Sequence, residues 1–525
     1  MFYVRTNIIL AEVLMKFYNR RVFIWILGIL CGLSYAGTKN CYTNLNEVLH
    51  CFMQYHDGVY RYEFLAENTS NPDVIIKTYI LYSQNWPLEE YENIPATTWR
   101  HRLNFYIPKQ ISYAKALLYV TGGLTSDRDG TEKFLASKEQ VSYSNIALNN
   151  KAIVIELEDV PNQYLFFANV PKKEDQILAY TYKMVMTDSW QHGYLAGHLP
   201  MAKAIIKAMD AGQEILQQEY NIKLKSYILS GASKRGWAVW LAALEDSRVE
   251  AIVPIVIDIL NTQQAITHIC QSYGGSCPPA FRDYEEEGIT AMVNTKAFME
   301  LMQIEDPFSY YNSKYKNRLA IPKYIINASG DDFFVPDSSR WYFSRLPGSS
   351  NYIRYLPNAM HYFRGNIISD STNSLAAINK GLDEYFYFIL RDIVLPKISW
   401  ILQPNNIVIT SSLKPQQVKL WFCHNQTARD FRFLTSYSVW HFVKKRIAAI
   451  FFHNLCDNCY KEQVVSFTCP TERNCEIIVP LPEFKSGWLA AFAELHYKID
   501  NVSFVATTEV NIVPDTMPTF TKEDL

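Results

Sequence analysis

Between residues 114 and 393, short apolar runs alternate with segments whose apolar residues recur at helical spacing. The runs predict strands over residues 114–123, 151–161 and 249–258 and near residues 322 and 350. The helical spacing predicts helices over residues 174–186, 199–216 and 373–393. Strands that are apolar throughout and alternate with helices are typical of a parallel sheet buried on both faces. We therefore predict an α/β domain with a mostly parallel sheet, helices on both faces, and functional loops at the carboxyl ends of the strands.

After about residue 398 the pattern changes to short strands with no helix between them. The strand segments are NNIVITSS, QQVKLWFCHN, RDFRFLTS, RIAAIFFHN, EQVVSFTCP, CEIIVPL, GWLAAFAELHY and FVATTEVNIV. Their even spacing predicts an all-β, immunoglobulin-like sandwich. We therefore divide the chain into an α/β domain at residues 37–398 and a β-sandwich at residues 399–518. Within the α/β domain, residues 37–120 mix short strands with a polar loop.

The first 36 residues are typical of a signal peptide. Lys16, Arg20 and Arg21 precede an apolar run that ends at Ala36 and is short for a membrane-spanning helix. Ser34 and Ala36 are small and suitably placed for cleavage. We expect a secreted protein, extracellular or periplasmic, with no stable membrane span after cleavage; an uncleaved anchor is the alternative.

The hydrophobic content and net charge of the chain indicate how it folds and which partners it can attract. The chain has 525 residues, 49% of them hydrophobic, and a formal net charge of −2. It can therefore bury large cores, and its charge balance gives no electrostatic reason to expect nucleic acid as a partner.

Cysteine usage agrees with export. The chain has ten cysteines. Cys31 would be removed with the signal peptide, so nine would remain. Close spacing favours local disulfides such as Cys41–Cys51 and Cys270–Cys277, and the odd number leaves one thiol or one intermolecular bond.

A zinc site is the alternative for the last four cysteines, which follow His453: Cys456, Cys459, Cys469 and Cys475. In a secreted chain such residues more often form disulfides, so we expect no metal. We interpret His192 and His198 as loop histidines, because they lack the helical spacing of metal ligands.

The stretch YILSGASKRGWAVWL predicts a strand, a sharp turn and a helix, with Ser233 at the turn. This is the arrangement of a nucleophile elbow, in which an exposed serine hydroxyl stands on a strained corner. The usual pattern is G-x-S-x-G, whereas here the second glycine comes one residue later. Helix capping by Ser233 is the alternative interpretation.

Candidate partners of Ser233 follow two later strands. Asp331 and Asp332 come after the strand near residue 322, and His361 follows the next strand. The chain order serine, acid, histidine is that of α/β-hydrolases, although each residue alone is equally typical of a surface aspartate or a core histidine. We favour Asp332 as the acid because of its spacing from Val335 along the sequence.

An acyl-transfer site also needs donors for an oxyanion. The N–H of Lys234 is one candidate, and Gly122 or Gly123, after the strand at residues 114–123, supplies the other. Lys234 and Arg235 also place two cations at the start of a helix, where the dipole disfavours them. Two interpretations are open. In the first, one of the two cations, with Arg235 as the first choice, binds an anionic group of the substrate. In the second, both form ion pairs with an acidic neighbour such as Asp258.

Six segments, EDQILAYTY, LPMAKAIIKAMD, GASKRGW, IVPIVIDILN, INASGDDFFVPDSS and ARDFRF, resemble the PhoPQ-activated pathogenicity-related family, which includes secreted autocrine proliferation repressors. The resemblance extends from about residue 42 to residue 518, and GASKRGW and GDDFFVPDS are its most specific parts. The family is assigned to the α/β-hydrolases and is similar to serine peptidases and esterases. The resemblance implies triad roles for Ser233 and His361, leaves the acid open between Asp331 and Asp332, and implies no particular substrate.

The sequence thus predicts a secreted serine hydrolase that uses no cofactor and acts on a small-molecule ester or a peptide. Aromatic residues of the loops at 85–105 and 270–315 are expected to wall the cleft. The alternatives are a catalytically silent signalling or binding protein on a hydrolase scaffold, and a zinc-dependent hydrolase.

Overall fold

The structure, a computed structural model, describes residues 44–88, 90–91, 94–133, 141–362, 374–435 and 456–518. The predicted signal peptide and the predicted strand RIAAIFFHN lie outside the described residues. Among the described helices, none is both long enough and apolar enough to span a membrane.

A nine-stranded sheet forms the centre of the described chain. Its strands are β1 (Arg61–Asn68), β2 (Val74–Trp86), β3 (Thr97–Pro108), β4 (Lys115–Val120), β5 (Ile153–Leu157), β8 (Ser226–Ala232), β9 (Val249–Ile255), β10 (Lys323–Ala328) and β11 (Asn351–Leu356). A separate hairpin is formed by β6 (Leu165–Phe167) and β7 (Val170–Lys172).

The strand order across this sheet is β1-β2-β3-β5-β4-β8-β9-β10-β11. The pairings from β5 to β11 are parallel, and only those from β1 to β5 are antiparallel. The sheet is therefore mostly parallel, as predicted. At its antiparallel end, β2 and β3 are longer than the short strands expected there.

Helices flank the sheet in the α/β part of the chain. They are α1 (Val48–Gln54), α2 (Tyr143–Asn150), α3 (Asp175–Thr187), α4 (Ser189–His192), α5 (His198–Tyr220), α6 (Lys234–Glu245), α7 (Thr262–Ser272), α8 (Arg282–Glu286), α9 (Lys296–Glu305), α10 (Lys316–Leu319) and α11 (Ser374–Leu390).

Alternate residues of a single central strand show that both faces of the sheet are covered. Ile153 and Ile155 of β5 belong to the apolar core that contains α5 and α6. Val154, between them, belongs to the second core, which contains α2 and α11. Because side chains alternate across a strand, these two cores lie on opposite faces, and the predicted α/β-hydrolase arrangement is confirmed.

From Ile398 onward, the described chain forms antiparallel strands. β12 (Ile398–Leu402), β13 (Asn406–Ser411) and β16 (Cys475–Pro480) make one sheet; β14 (Gln417–Asn425), β15 (Lys461–Val464), β17 (Trp488–Ile499), β18 (Val502–Thr507) and β19 (Asn511–Val513) make another. Inward-facing residues of both sheets, such as Ile409 and Leu420, share one apolar core. The predicted β-sandwich is confirmed.

The segment RDFRFLTS is not the predicted strand over its described residues, 429–435. At two of its residues, Arg429 and Phe433, it bonds to the α/β domain. The fully buried guanidinium of Arg429 lies 2.6 Å from the carboxylate of Asp337, and Phe433 N–H donates to the carbonyl of Gly330 at 3.0 Å. Charge pairing and backbone bonding therefore connect this segment to the loop after β10.

Candidate active site

Ser233 lies at the corner between β8 and α6, the strand-to-helix turn predicted from the sequence. Its φ of 57° and ψ of −130° are values that residues other than glycine rarely adopt. The Ser233 side chain makes no capping hydrogen bond to α6. Helix capping therefore does not explain why a serine occupies this corner.

Two glycines allow the corner to close. A β-carbon on Gly231 would lie 3.0 Å from the backbone carbonyl carbon of Arg235, and one on Gly236 would lie 2.8 Å from the carbonyl oxygen of Gly231. Neither position has room for a side chain. The later second glycine in G-A-S-K-R-G therefore fits this turn, because Gly236 is the residue that touches the strand end.

His361 lies between Ser233 and Asp331. Its Nε2 is 2.9 Å from Ser233 Oγ, and its Nδ1 is 3.0 Å from Oδ2 of Asp331. The three residues follow β8, β10 and β11, whose carboxyl ends share one edge of the sheet. Because Nδ1 faces a carboxylate, it carries the proton and Nε2 accepts from the serine hydroxyl. This arrangement can accept the serine proton on the imidazole and hold the resulting charge against the carboxylate.

The preference for Asp332 as the partner of His361 is wrong. Oδ1 of Asp331 accepts the N–H groups of Phe333 and Phe334 at 2.7 and 3.1 Å, which turns this carboxylate toward Nδ1 of His361. The tight turn after β10 thus selects the first of the two aspartates. Asp332 is also buried, and its charge acts on His361 without taking this position.

The pKa of His361 lies above its ordinary value of 6.5. Burial, the largest influence, lowers it, but the charge and hydrogen bond of Asp331 and the charge of Asp332 together raise it by more. The rings of Phe333 and Phe334, at centroid distances of 4.5 and 5.6 Å, enclose the imidazole. They shield the bonds of His361 from water.

Lys234 and Arg235 form ion pairs, as the alternative interpretation predicts, but with Glu174 and Asp175 and not with Asp258. Lys234 Nζ lies 2.8 Å from Glu174 and 3.1 Å from Asp175, while Arg235 Nη2 lies 2.5 Å from Glu174. Arg235 also donates through Nε to a backbone carbonyl, that of Val160, at 2.6 Å. These bonds engage the Arg235 guanidinium within the protein, so the structure does not present it as a group for binding an anionic substrate.

Asp258 is unsuited to pair with these cations. Its carboxyl accepts hydrogen bonds from the hydroxyls of Tyr342 and Tyr355 at 2.7 and 2.6 Å. Burial raises its pKa to about 8, against a smaller lowering by the two tyrosine bonds. At neutral pH this carboxyl is mostly uncharged and contributes little attraction for a lysine or arginine.

The loop after β4 carries Gly122 and Gly123 to the same edge of the sheet as Ser233, since β4 pairs in parallel with β8. A β-carbon on Gly122 would lie 2.5 Å from Arg235 Nη2, and one on Gly123 would overlap the carboxylate of Asp159. Both glycines are thus held by close neighbours. That their N–H groups receive an oxyanion together with that of Lys234 stays a prediction.

A cleft adjoins Ser233. It contains about 580 Å³ of space free of atoms, and part of this space is open to solvent. Its lining is largely apolar: Leu178, Ile257, Ile259, Ile266, Ile289, Phe281, Phe298, Phe333, Phe334 and Trp237. The predicted contribution of the 270–315 segment is present in this lining, whereas residues 85–105 do not contribute to it. Such a lining suits an apolar portion of a substrate next to the hydroxyl of Ser233.

Two charged or titratable groups of the site, His198 and Glu174, were missed from the sequence. His198 is the first residue of α5 and is fully buried beside Glu305, so the loop interpretation is wrong. Glu174, which pairs with both cations, was not named as a candidate. No sequence pattern links these residues to their partners, because Glu305 lies 107 residues from His198 and Glu174 lies 60 residues from Lys234.

Cys270 and Cys277 form the predicted disulfide. The four cysteines considered for zinc are paired as Cys456–Cys459 and Cys469–Cys475. Cys51 is disulfide-bonded, and Cys41 lies outside the described residues. Cys423 is a buried free thiol. Over the described part of the chain, no group of three or more histidine, cysteine or acidic side chains has an arrangement that could hold a metal ion.

Solved structures that resemble this fold include acetyl xylan esterase 1 from Thermoanaerobacterium sp. JW/SL YS485, 13% identical, covering 61% of this chain and 89% of that chain with a TM-score of 0.38. A glucuronoyl esterase from Solibacter usitatus is 12% identical and covers 60% of this chain and 87% of that chain with a TM-score of 0.33.

Sequence comparison identifies the family. A relative from Dictyostelium discoideum, autocrine proliferation repressor protein A, is 30% identical over 458 residues, which cover 83% of this chain and 85% of the relative. The family model described as PhoPQ-activated pathogenicity-related protein matches residues 49–432, which include Ser233, Asp331 and His361. The match spans well over half of the chain, so the protein belongs to the PhoPQ-activated pathogenicity-related protein family.

Proposed function

We propose that this protein is a secreted serine hydrolase that cleaves ester, amide or peptide bonds through an acyl-enzyme. The observation that carries the proposal is the position of His361, which bonds through its two ring nitrogens to Ser233 and Asp331 at 2.9 and 3.0 Å. Ser233 is the nucleophile, His361 the general base and then the general acid, and Asp331 the carboxylate that orients the imidazole.

In the first step, Ser233 Oγ bonds to the acyl carbon while its proton moves to His361 Nε2. The N–H of Lys234 and that of Gly122 or Gly123 stabilise the oxyanion. Collapse of this intermediate breaks the bond to the leaving group, which takes the proton from Nε2. Water then attacks the acyl-enzyme in the same way, and Ser233 is regenerated. The side chains named here are sufficient for this sequence without a metal or a redox cofactor.

Secretion has separate support. The disulfides Cys270–Cys277 and Cys469–Cys475 are typical of proteins that fold in oxidising compartments. A signal peptide at residues 1–36 would direct the chain there. The apolar cleft beside Ser233 favours substrates with an apolar portion over small, fully polar ones.

A second candidate function is signalling or binding without turnover. The named relative, autocrine proliferation repressor protein A, favours it. In that case the scaffold would be retained for recognition of a partner.

Hydrolysis of a panel of ester and peptide reporters tests the hydrolase proposal. We expect Ser233→Ala to lower kcat/KM by a factor of about 10⁴ or more. Ser230→Ala is the matched control, because Ser230 lies on β8, the strand that leads to Ser233, and its hydroxyl bonds only to the carbonyl of Val253 among the described residues. Equal activity in the Ser233→Ala variant would contradict the proposal, and an inactive but folded wild-type protein would favour the signalling function.

A further inference from the structure

The loops after β10 and β11 carry the acid and the histidine of the proposed triad. We call residues 329–334 the acid loop and residues 357–361 the histidine loop. The two loops are joined directly, because the N–H of Gly330 donates to the carbonyl of Ala359 at 3.0 Å. The contact between the two catalytic side chains therefore depends on what holds each loop in place.

The histidine loop is bonded to the β-sandwich through Asn358. Asn358 Nδ2 donates to the carbonyl of Tyr460 at 3.0 Å, and the N–H of Tyr460 donates to Asn358 Oδ1 at 2.7 Å. Tyr460 is buried and directly precedes β15 of the sandwich. The backbone N–H of Asn358 also donates to Ser329 Oγ, in the acid loop, at 3.0 Å. Asn358 thus connects the histidine loop both to the sandwich and to the acid loop.

The acid loop has a contact of its own with the same part of the chain. Phe433 N–H donates to the carbonyl of Gly330 at 3.0 Å, and a β-carbon on Gly330 would lie 2.8 Å from the backbone nitrogen of Phe433. The N–H of Asp457 donates to the carbonyl of Phe433 at 2.8 Å. Asp457 and Tyr460 belong to one short segment, residues 456–460. The contacts of both loops therefore lead to this segment.

Two features explain why position 358 holds an asparagine. Its φ is 56°, a left-handed conformation that asparagine adopts more readily than most residues. Its amide supplies both a donor and an acceptor, and each is used on the backbone of Tyr460. Asn358 lies three residues before His361. It is therefore suited to fix the histidine loop close to the imidazole.

We propose that Asn358 is a positioning residue for the proposed reaction, and that through its bonds to Tyr460 the β-sandwich holds the acid and histidine loops in their catalytic arrangement. The assignment rests on the hydrolase function proposed above. Asn358 acts through His361 and Asp331 and takes no part in proton transfer. Its effect on rate is expected to be large, because a misplacement of about 1 Å in such groups can cost about 100-fold.

Two substitutions of Asn358 test the assignment. Asn358→Gly and Asn358→Ala both remove the side-chain bonds to Tyr460, but glycine adopts the left-handed conformation freely whereas alanine is strained in it. On a cleaved reporter ester we expect both variants to lower kcat by about 10- to 100-fold per folded molecule. KM should change much less, because Asn358 is not part of the cleft lining. A loss in only one of the variants would trace the effect to backbone freedom and would overturn the assignment.

Tyr324→Phe is the matched control. Tyr324 lies on β10, the strand that leads to the acid loop, and its hydroxyl donates to the carbonyl of Val505 on β18 at 2.7 Å. This variant also removes a buried hydrogen bond between the central sheet and the sandwich, but it leaves the bonds of both loops in place. It should lower the Tm and leave kcat close to that of the wild type. An equal loss of kcat in Tyr324→Phe would show that stability, and not positioning, is responsible.

Hydrogen exchange separates this assignment from the hydrolase function, because it needs no turnover. Peptides that cover the acid and histidine loops should exchange about tenfold faster in both Asn358 variants than in the wild type, while peptides from β8 and α6 keep wild-type rates. If the wild-type protein cleaves no ester but this local increase is found, the hydrolase function fails and the support of the loops by Asn358 stands. Unchanged exchange in both loops, or an equal increase along the whole chain, would overturn the assignment while leaving hydrolysis intact.

Discussion

The carboxylate of Asp331 lies 3.0 Å from Nδ1 of His361, and the adjacent Asp332 does not take this position. Two backbone N–H groups, those of Phe333 and Phe334, hold the Asp331 carboxylate in place. A carboxylate bonded in this way remains ready to orient an imidazole and to stabilise it when it is charged. The two aspartates are therefore expected to differ sharply in their contribution to activity.

Substitution of each aspartate by asparagine tests that difference. Asp331→Asn should lower kcat/KM by a factor of about 10³ to 10⁴, because an amide can present a donor to Nδ1 and favour the wrong imidazole tautomer. Asp332→Asn should cost about tenfold or less. Steady-state kinetics on a cleaved reporter ester decides the matter, and a larger loss in Asp332→Asn would show that the orienting acid is misassigned.

The pH dependence of activity should reflect the charge around His361. The base must be neutral to accept the serine proton, so kcat/KM should fall as the pH drops through the pKa of His361. Because that pKa is raised, the midpoint of the acid limb should lie above 6.5. Asp332→Asn removes a negative charge and should move the midpoint to lower pH. A midpoint below 6.5 in the wild-type protein would contradict this assignment.

Glu174 stabilises the helix start after Ser233 by pairing with Lys234 and Arg235. Burial raises its pKa, but the two cations lower it by more, so the pKa lies below its ordinary value of 4.5. A group with a lowered pKa contributes stability above its unfolded pKa and loses it as the pH falls. Glu174→Gln should therefore lower the free energy of unfolding by about 1–2 kcal/mol at pH 7.

Urea unfolding at several pH values measures this effect, and the difference from wild type should shrink below about pH 4.5. Glu286→Gln is a suitable control, since Glu286 pairs with Arg282 on the exposed surface. A pH-independent difference for Glu174→Gln would mean that packing, and not charge, is responsible.

The contribution of Asp258 to the free energy of unfolding should depend on pH in the opposite direction to that of Glu174. Its pKa in the folded protein, about 8, is above the ordinary value of 3.8. Its contribution to stability is therefore complete below pH 3.8 and is lost as the pH rises toward 8. Asp258→Asn resembles the protonated carboxyl and does not ionise. Between pH 5 and 7.5, urea unfolding should show the wild-type protein losing about 3 kcal/mol relative to this variant; parallel pH profiles would contradict the raised pKa.

The sequence allowed prediction of the features that depend on strand ends. Ser233 and His361 each follow an apolar strand, and parallel strands bring such positions to one edge of a sheet. Their contact at 2.9 Å therefore follows from the order of strands and loops. The β-sandwich was predictable for a similar reason, because even strand spacing with no helices permits few other folds.

Other features depend on single turns or on distant contacts. The choice between Asp331 and Asp332 depends on which carboxylate the turn directs toward His361, and adjacent residues in a turn differ in direction without a pattern in the sequence. The pairing of His198 with Glu305 joins two helices far apart in the chain. Neither residue has a spacing that signals the other, and so periodicity could not predict the pair.

Covalent labelling of Ser233 tests the central claim most directly. A fluorophosphonate reacts with a serine whose hydroxyl is activated by a neighbouring base. Intact mass and peptide mapping should show one adduct per chain, on Ser233, absent in Ser233→Ala, retained in Ser230→Ala and greatly slowed in Asp331→Asn. A folded wild-type protein that takes up no label, or takes it up at another residue, would contradict the account.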